Sequence, residues 1–406
     1  QSYLKPLIDR EGYFLLGYID RVLDYLGEKG VNSTVKDLRS QNPPLYKVIS
    51  PAGITLRKDQ TSIVSNCLQA GRGLIQSPTG SGKTILSASL VYSFGNIPTV
   101  FLCHTLTLAK QTVSEFRKVG LNPTQFTGEE RILSGLVVGT IQSFSKLEPE
   151  VFLDFQMIIV DEAHHISSLD TVYGKTLRLI PAPYKFGFTA TIPSQEEHIL
   201  AMEGLIGPVI GELTLQEGIE QGILAKPKLH ILKSPINQDV TDLRKYQDVY
   251  EMGVVRNYPR NHMLMKKVKE LSDERKTTLI LVNKIQHGEI LERIGNRLKI
   301  RIKFIQGRDS GDVRELLREA LNSKSVDCVI ATTIWKEGVN IPSLDCVINA
   351  GGGKSEIATL QSIGRGLRTT KDKTEVLLID IFDRSHHFLI NHFGERLCIY
   401  IDQGWV

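Results

Sequence analysis

Two tandem α/β units, each a parallel sheet flanked by helices, behind a small N-terminal appendage, are what this 406-residue sequence predicts. Three observations carry the prediction. The chain is too long for one compact core, so two or three domains are expected. From about residue 54, short and wholly apolar runs alternate with amphipathic helical stretches, the pattern of buried parallel strands joined by helices. Around Pro227, in "GILAKPK", this pattern breaks and the composition turns basic, which sets a boundary at 225/226.

Residues 1–53 read as the appendage. In "GYIDRVLDYLGEKG" the apolar residues 19, 22, 23 and 26 have helical spacing, and Gly27 or Gly30 can end the helix. The Pro-rich "SQNPPLYKVISPAG" reads as a linker. The first α/β unit, 54–225, draws its strands from "GLIQS", "TVFLCH", "LVVGT", "MIIVD" and "KFGFTA". The second, 226–406, draws on "KLHILK", "TTLILV", "RIKFIQ", "DCVIATT", "DCVINA" and "EVLLIDI".

Composition excludes several classes. Hydrophobic content of 41% and charged content of 23% are ordinary for a soluble globular protein. The longest apolar run, "GYFLLGYI" at 12–19, is too short to span a bilayer and runs into Asp20 and Arg21. The five cysteines are scattered and none forms a C-x-x-C, which argues against a disulfide framework or structural zinc and for a reducing cytoplasm. Beginning at Gln1 rather than Met, the sequence is expected to be a piece without its native start. Net charge is +4 but uneven, at +1 over 1–53, −4 over 54–225 and +7 over 226–406. The last part is either the better surface for an anionic polymer or simply a solvated face.

"GLIQSPTGSGKT", residues 73–84, is an apolar strand, a glycine-containing loop and a helix start. Its geometry suits a nucleotide. Thr79, Gly80, Ser81 and Gly82 turn backbone N–H groups toward phosphate oxygens, Lys83 holds the β- and γ-phosphates, and Thr84 ligates Mg²⁺. The strict pattern has glycine where Ser77 stands. The strand "MIIVD" then delivers Asp161 and Glu162 at its C-terminal end, where open α/β sheets bind ligands. Such a pair splits two tasks, Asp161 holding Mg²⁺ through its water shell and Glu162 orienting and deprotonating the attacking water. A zinc site is not expected, because His164 and His165 are adjacent and should diverge. His386, His387 and His392 are expected on the surface or in packing.

Together "TGSGKT", "DEAH" and "TAT" (189–191) resemble the motifs of superfamily 2 helicases and translocases. "ATTIWKEGVNIPSLDCVI" (331–348) is similar to motif V of that group and "QSIGRGLR" (361–368) to its motif VI. The resemblance covers about residues 54–385 and implies two RecA-like domains with ATP between them. It implies that Gln60, in "LRKDQ", reads the adenine edge with Arg57 nearby. Arg365 and Arg368 match the motif VI arginines that stabilise charge on the γ-phosphate, and Gln361 contacts the nucleotide or its water. Gly338 and Asn340 lie near the ribose, with Asn340 where many members have Asp. His164, with Thr189 and Thr191 of "TAT", couples the ATP site to the rest of the motor.

Nucleic-acid contacts in this group go mostly to phosphates. The matching positions are Thr105 in "HTLTLAKQ", Thr140 and Gln142 in "VGTIQSF", Asn283 and Lys284 in "LVNKIQHGEIL", and Thr332. Thr105, Thr140 and Asn283 follow strands and can equally cap helices. His104 stands where proline is common. Trp335 either stacks on a base or packs, with packing favoured.

The stretch 337–368 is most similar to the branch that holds XPB-type translocases, restriction-enzyme motors and UvsW-like phage recombination helicases. The resemblance implies an ATP- and Mg²⁺-dependent motor on branched DNA (forks, D-loops, four-way junctions) in recombination, replication or repair. No base-reading motif is visible, so sequence-independent binding is expected, and a monomer is expected. Double-strand DNA translocation, a DEAH-type RNA helicase and a non-hydrolysing ATP-binding scaffold are the alternatives.

Overall fold

The structure, a computed structural model, describes residues 8–9, 11–36, 47–78, 80–127, 133–190, 192–193, 195–222, 225–306, 309, 311–332, 344–352, 375–402 and 404–405. The chain divides into two compact units, one of residues 1–78 and 82–214, the other of residues 215–406 with 79–81. The second unit thus starts at Leu215, ahead of the 226 expected from composition.

The first unit runs α1 (Ile19–Glu28), α2 (Lys58–Ala70), β1 (Arg72–Gln76), α3 (Lys83–Ser93), β2 (Thr99–Cys103), α4 (Leu106–Lys118), β3 (Thr124–Phe126), β4 (Leu136–Thr140), α5 (Ile141–Phe144), β5 (Met157–Val160), α6 (Val172–Leu179), β6 (Tyr184–Thr189), α7 (Glu196–Leu205) and β7 (Val209–Glu212). Its seven strands are parallel in the order β3-β4-β2-β5-β6-β1-β7. Alternation within each strand feeds two cores. Met157 and Ile159 of β5 join Phe101 and Cys103 of β2 under α2, α3 and α4. Ile158 and Val160 join Val100 and Leu102 under α5, α6 and α7. Burial on both faces is why these strands read as unbroken apolar runs.

The second unit runs α8 (Leu215–Glu220), β8 (Lys226–Lys233), α9 (Tyr246–Tyr250), α10 (Tyr258–Asp273), β9 (Thr278–Leu281), α11 (Ile285–Arg297), β10 (Ile302–Ile305), α12 (Gly311–Asn322), β11 (Cys328–Ala331), β12 (Cys346–Asn349), β13 (Glu375–Phe382) and α13 (His387–Asp402). Its sheet is also parallel, in the order β10-β11-β9-β12-β13-β8, and again has a core on each face. Trp405 is buried there, its ring 5.9 Å from that of Tyr400.

The N-terminal segment is docked on α7. Tyr18 is 3% exposed and its hydroxyl donates to the Leu200 carbonyl at 2.7 Å. Arg21 forms a two-pronged ion pair with Glu203, one prong at 2.7 Å. At Gly17 a Cβ would stand 1.8 Å from the Glu203 carbonyl oxygen, so only glycine fits. Gly17→Ala is therefore expected to detach the segment and cost about 1–3 kcal/mol. Thermal unfolding checks this, and an unchanged midpoint would mean the docking contributes nothing to stability.

Candidate active site

β1, β6 and β5 lie side by side, so the segments leaving their C-terminal ends meet. β1 leads to the phosphate loop, β5 to Asp161 and Glu162, and β6 ends at Thr189. In this order the chain leaves β2 toward one edge of the sheet and β5 toward the other, and open α/β sheets bind ligands at such a reversal.

Gly80 (φ 92°) and Gly82 (φ 98°) take left-handed backbone that side chains resist. A Cβ on Gly82 would also stand 2.7 Å from Gln60 Nε2. Ser77 has no positive φ; it is fully buried and its N–H donates to the Thr189 carbonyl at 2.8 Å. Serine is thus sufficient where the strict pattern has glycine. α3 begins at Lys83 with no side-chain cap, so its first-turn N–H groups face the loop. Gln60 is buried, and its Oε1 accepts the Arg57 N–H at 3.2 Å as the start of α2. Arg57 pairs with Asp59 at 2.9 Å.

Lys83 Nζ lies 3.4 Å from Glu162 Oε1. His164 Nδ1 lies 3.4 Å from Glu162 Oε2 and 3.2 Å from Thr189 Oγ1. The Glu162 N–H donates to the Asp161 carboxylate at 3.1 Å. Burial, then the charge of Glu162, pushes the Asp161 carboxyl up to about 6. Burial also works to raise Glu162, but Lys83 and His164 outweigh it and hold this carboxyl well below the usual range. Glu162 itself has left-handed backbone at φ 51°, strained for a residue with a side chain. Two half-buried carboxylates against one ammonium leave room for a cation, and among the described residues Glu162 Oε2 has only the 3.4 Å approach of His164 Nδ1. That donor set, with Thr84 in the first turn of α3, fits a hard divalent ion such as Mg²⁺.

His164 and His165 do not diverge, contrary to expectation. They lie in a tight 3₁₀ turn, Ala163–His165, which brings their ring centroids to 4.4 Å. His165 in turn stacks on His104 at 3.8 Å and 10°. Nothing in the sequence pattern pairs His104 with His165, since β2 and β5 must first become neighbours. Near the C-terminus, His386 and His392 are buried, with a His386 ring nitrogen 3.0 Å from the Leu243 carbonyl.

The candidate nucleic-acid contacts do not all have one role. Thr105 and Thr140 are helix N-caps, accepting the N–H of Leu108 at 3.3 Å and of Ser143 at 3.2 Å. Gln142 is exposed on α5. Asn283 does not cap α11; the cap position is Lys284, which makes no side-chain cap, and the Asn283 amide donates to the Gly351 carbonyl at 3.3 Å. Thr332 is buried at the end of β11, its N–H 3.4 Å from the Ile305 carbonyl. Thr79, Thr191, Trp335, Gly338, Asn340, Gln361, Arg365 and Arg368 lie outside the described residues.

Known proteins resemble the chain on both units. The profile of the type III restriction enzyme res subunit matches residues 53–194, and that of the helicase conserved C-terminal domain matches 260–370. The DNA 3'-5' translocase XPB2 of Sulfurisphaera tokodaii is 27% identical over 81% of this chain and 81% of its own length. The ATP-dependent DNA helicase uvsW of Enterobacteria phage T4 is 24% identical over 82% of this chain and 72% of its own. Across these and two other viral relatives, the chain spans between 62% and 82% of the relative's length. The fold is shared with the DUF1998 helicase MrfA in a crystal structure with DNA, at a TM-score of 0.66, 18% identity, and coverage of 88% of this chain and 52% of that one.

Proposed function

Because this chain belongs to the superfamily 2 helicases and translocases, we propose that it is an ATP-driven DNA motor that remodels branched DNA such as forks, D-loops and four-way junctions. One observation carries the ATPase half. Lys83, Asp161 and Glu162 meet at the mouth of a glycine-turned loop, with Lys83 3.4 Å from the glutamate it must leave to reach a phosphate. Two relatives named for action on DNA, one of them a phage helicase, are the ground for taking DNA as the track.

In this reading the backbone N–H groups of 79–82 and the first turn of α3 cradle the phosphates, and Gln60 with Arg57 meets the base. Asp161 and Thr84 would hold Mg²⁺, which when bound neutralises phosphate charge. When the ammonium of Lys83 turns to the phosphates, Glu162 loses the neighbour that most depresses it and is free to take a proton from the attacking water. His164, hydrogen-bonded to Thr189, reports that change to the end of β6. By resemblance alone we assign Arg365, Arg368 and Gln361 to the γ-phosphate, Gly338 and Asn340 to the ribose, and Thr191 to the coupling. By resemblance we assign the nucleic-acid backbone to Thr105, Thr140, Gln142, Asn283, Lys284 and Thr332, of which Gln142 is exposed and Thr332 is buried. Among the described residues no helix is long and apolar enough to cross a membrane. The setting we assign is a bacterial or phage-infected cytoplasm, with the protein acting as a monomer.

Steady-state ATPase tests the reading, with no nucleic acid, single strands, duplex, a model fork, a four-way junction and RNA in parallel. Forks or junctions are expected to stimulate most. Stimulation by RNA alone would turn the case to an RNA helicase, and equal stimulation by plain duplex to a double-strand translocase. No turnover with any of them would leave the scaffold reading.

A further inference from the structure

We propose that the stacked pair His104–His165, braced by Tyr173, is the positioning element that transmits the state of the ATP site to the Thr105 loop. The inference rests on the motor reading above and assigns roles to three residues outside its catalytic and binding sets.

The geometry is continuous from one site to the other. Glu162 contacts His164 at 3.4 Å. The His164 and His165 rings lie 4.4 Å apart, and the His165 and His104 rings 3.8 Å apart and nearly parallel. Tyr173, in the first turn of α6, is buried, and its ring is within 11° of parallel to His104 and 17° to His165. Its hydroxyl lies 3.5 Å from His104 Nδ1. His104 is the residue immediately before Thr105, whose hydroxyl caps α4.

Two features make this an arrangement that moves as a unit. The turn that carries the DEAH histidine and the one after it starts from the left-handed backbone of Glu162, so a change in that strained residue rotates Ala163–His165 as a block. His104 and His165 are in face contact at 3.8 Å and Tyr173 lies beside both, its ring centroid 6.3 and 6.2 Å away, so a shift of one histidine presses on the other. Tyr173 fixes one side of the pile, which leaves the His104 backbone, and with it the Thr105 cap, as the part that yields. A histidine at 104 can make this stack, whereas a proline there has no aromatic face.

A double-mutant cycle tests it: His104→Ala, His165→Ala and the pair, with His104→Phe and His165→Phe to restore a ring. Basal ATPase and DNA-stimulated ATPase are both read, beside wild type on the same DNA. Each alanine variant is expected to keep basal turnover and lose about tenfold of its DNA stimulation, a usual size for coupling between sites. The pair is expected to lose no more than either alone, and the phenylalanine variants to recover most of the loss. Full stimulation in the alanine variants, or losses that simply add, would overturn the proposal and leave the motor intact. Loss of basal turnover along with stimulation, without phenylalanine rescue, would make the stack ordinary packing and overturn it too. A wild-type protein that no nucleic acid stimulates would instead remove the motor reading, and this inference with it.

Discussion

Glu162→Gln is expected to lower ATP turnover by about 10³-fold, the usual contribution of a positioned general base, while nucleotide binding stays within a few-fold of wild type. The two effects separate for a physical reason. Glutamine keeps the shape of the side chain and can still accept from Lys83, now 3.4 Å from Oε1. It loses the negative charge and the ability to take a proton. Removing that charge also removes the neighbour that, after burial, most raises the Asp161 carboxyl above its ordinary value. Asp161 is then ionised more readily, so the site for a cation and its phosphate should hold. Phosphate release gives the turnover and a fluorescent ATP analogue the binding. Turnover within tenfold of wild type would show that Glu162 is not the base.

Asp383→Ala should have the largest effect on stability. Arg260 is fully buried and donates to both carboxylate oxygens of Asp383, at 2.7 and 2.9 Å, and to the Ala350 carbonyl at 3.0 Å. Removing Asp383 leaves a guanidinium in the core without its counter-charge, which costs about 3–5 kcal/mol. That is a large part of the total stability of a domain. Both tryptophans of the chain, Trp335 and Trp405, belong to the second unit, so their fluorescence during urea unfolding reports on it directly. A midpoint that does not move would mean the ion pair contributes nothing net. The same region holds Gly351, just after β12. Tyr250 donates to the Gly351 carbonyl at 2.8 Å and Asn283 to the same oxygen. The Asn283 amide, expected to meet nucleic acid, thus has this partner within its own unit.

Strands buried on both faces were legible in the sequence, because burial on both sides demands an unbroken apolar run and little else produces one. β3 and β7 were not. They sit at the two edges of the first sheet, and "TQF" and "VIGE" are short and half solvated. The docking of the appendage was invisible for a different reason: α1 has an amphipathic pattern but no buried residue, and the anchor is the short turn Leu16–Tyr18 ahead of it.

What the sequence determined by itself is local chemistry. Gly80 and Gly82 are needed where φ is positive, Lys83 and Thr84 open a helix after a strand, and two carboxylates end an apolar run. Each of these depends on a few consecutive residues. The tertiary structure decided which of them meet. Lys83 and Glu162 are 79 positions apart, and Arg260 and Asp383 are 123. The His104–His165 stack exists only because β2 lies beside β5. Neighbours in a parallel sheet are set by crossovers and by how two cores fill, a property of the whole chain that no short stretch of residues encodes.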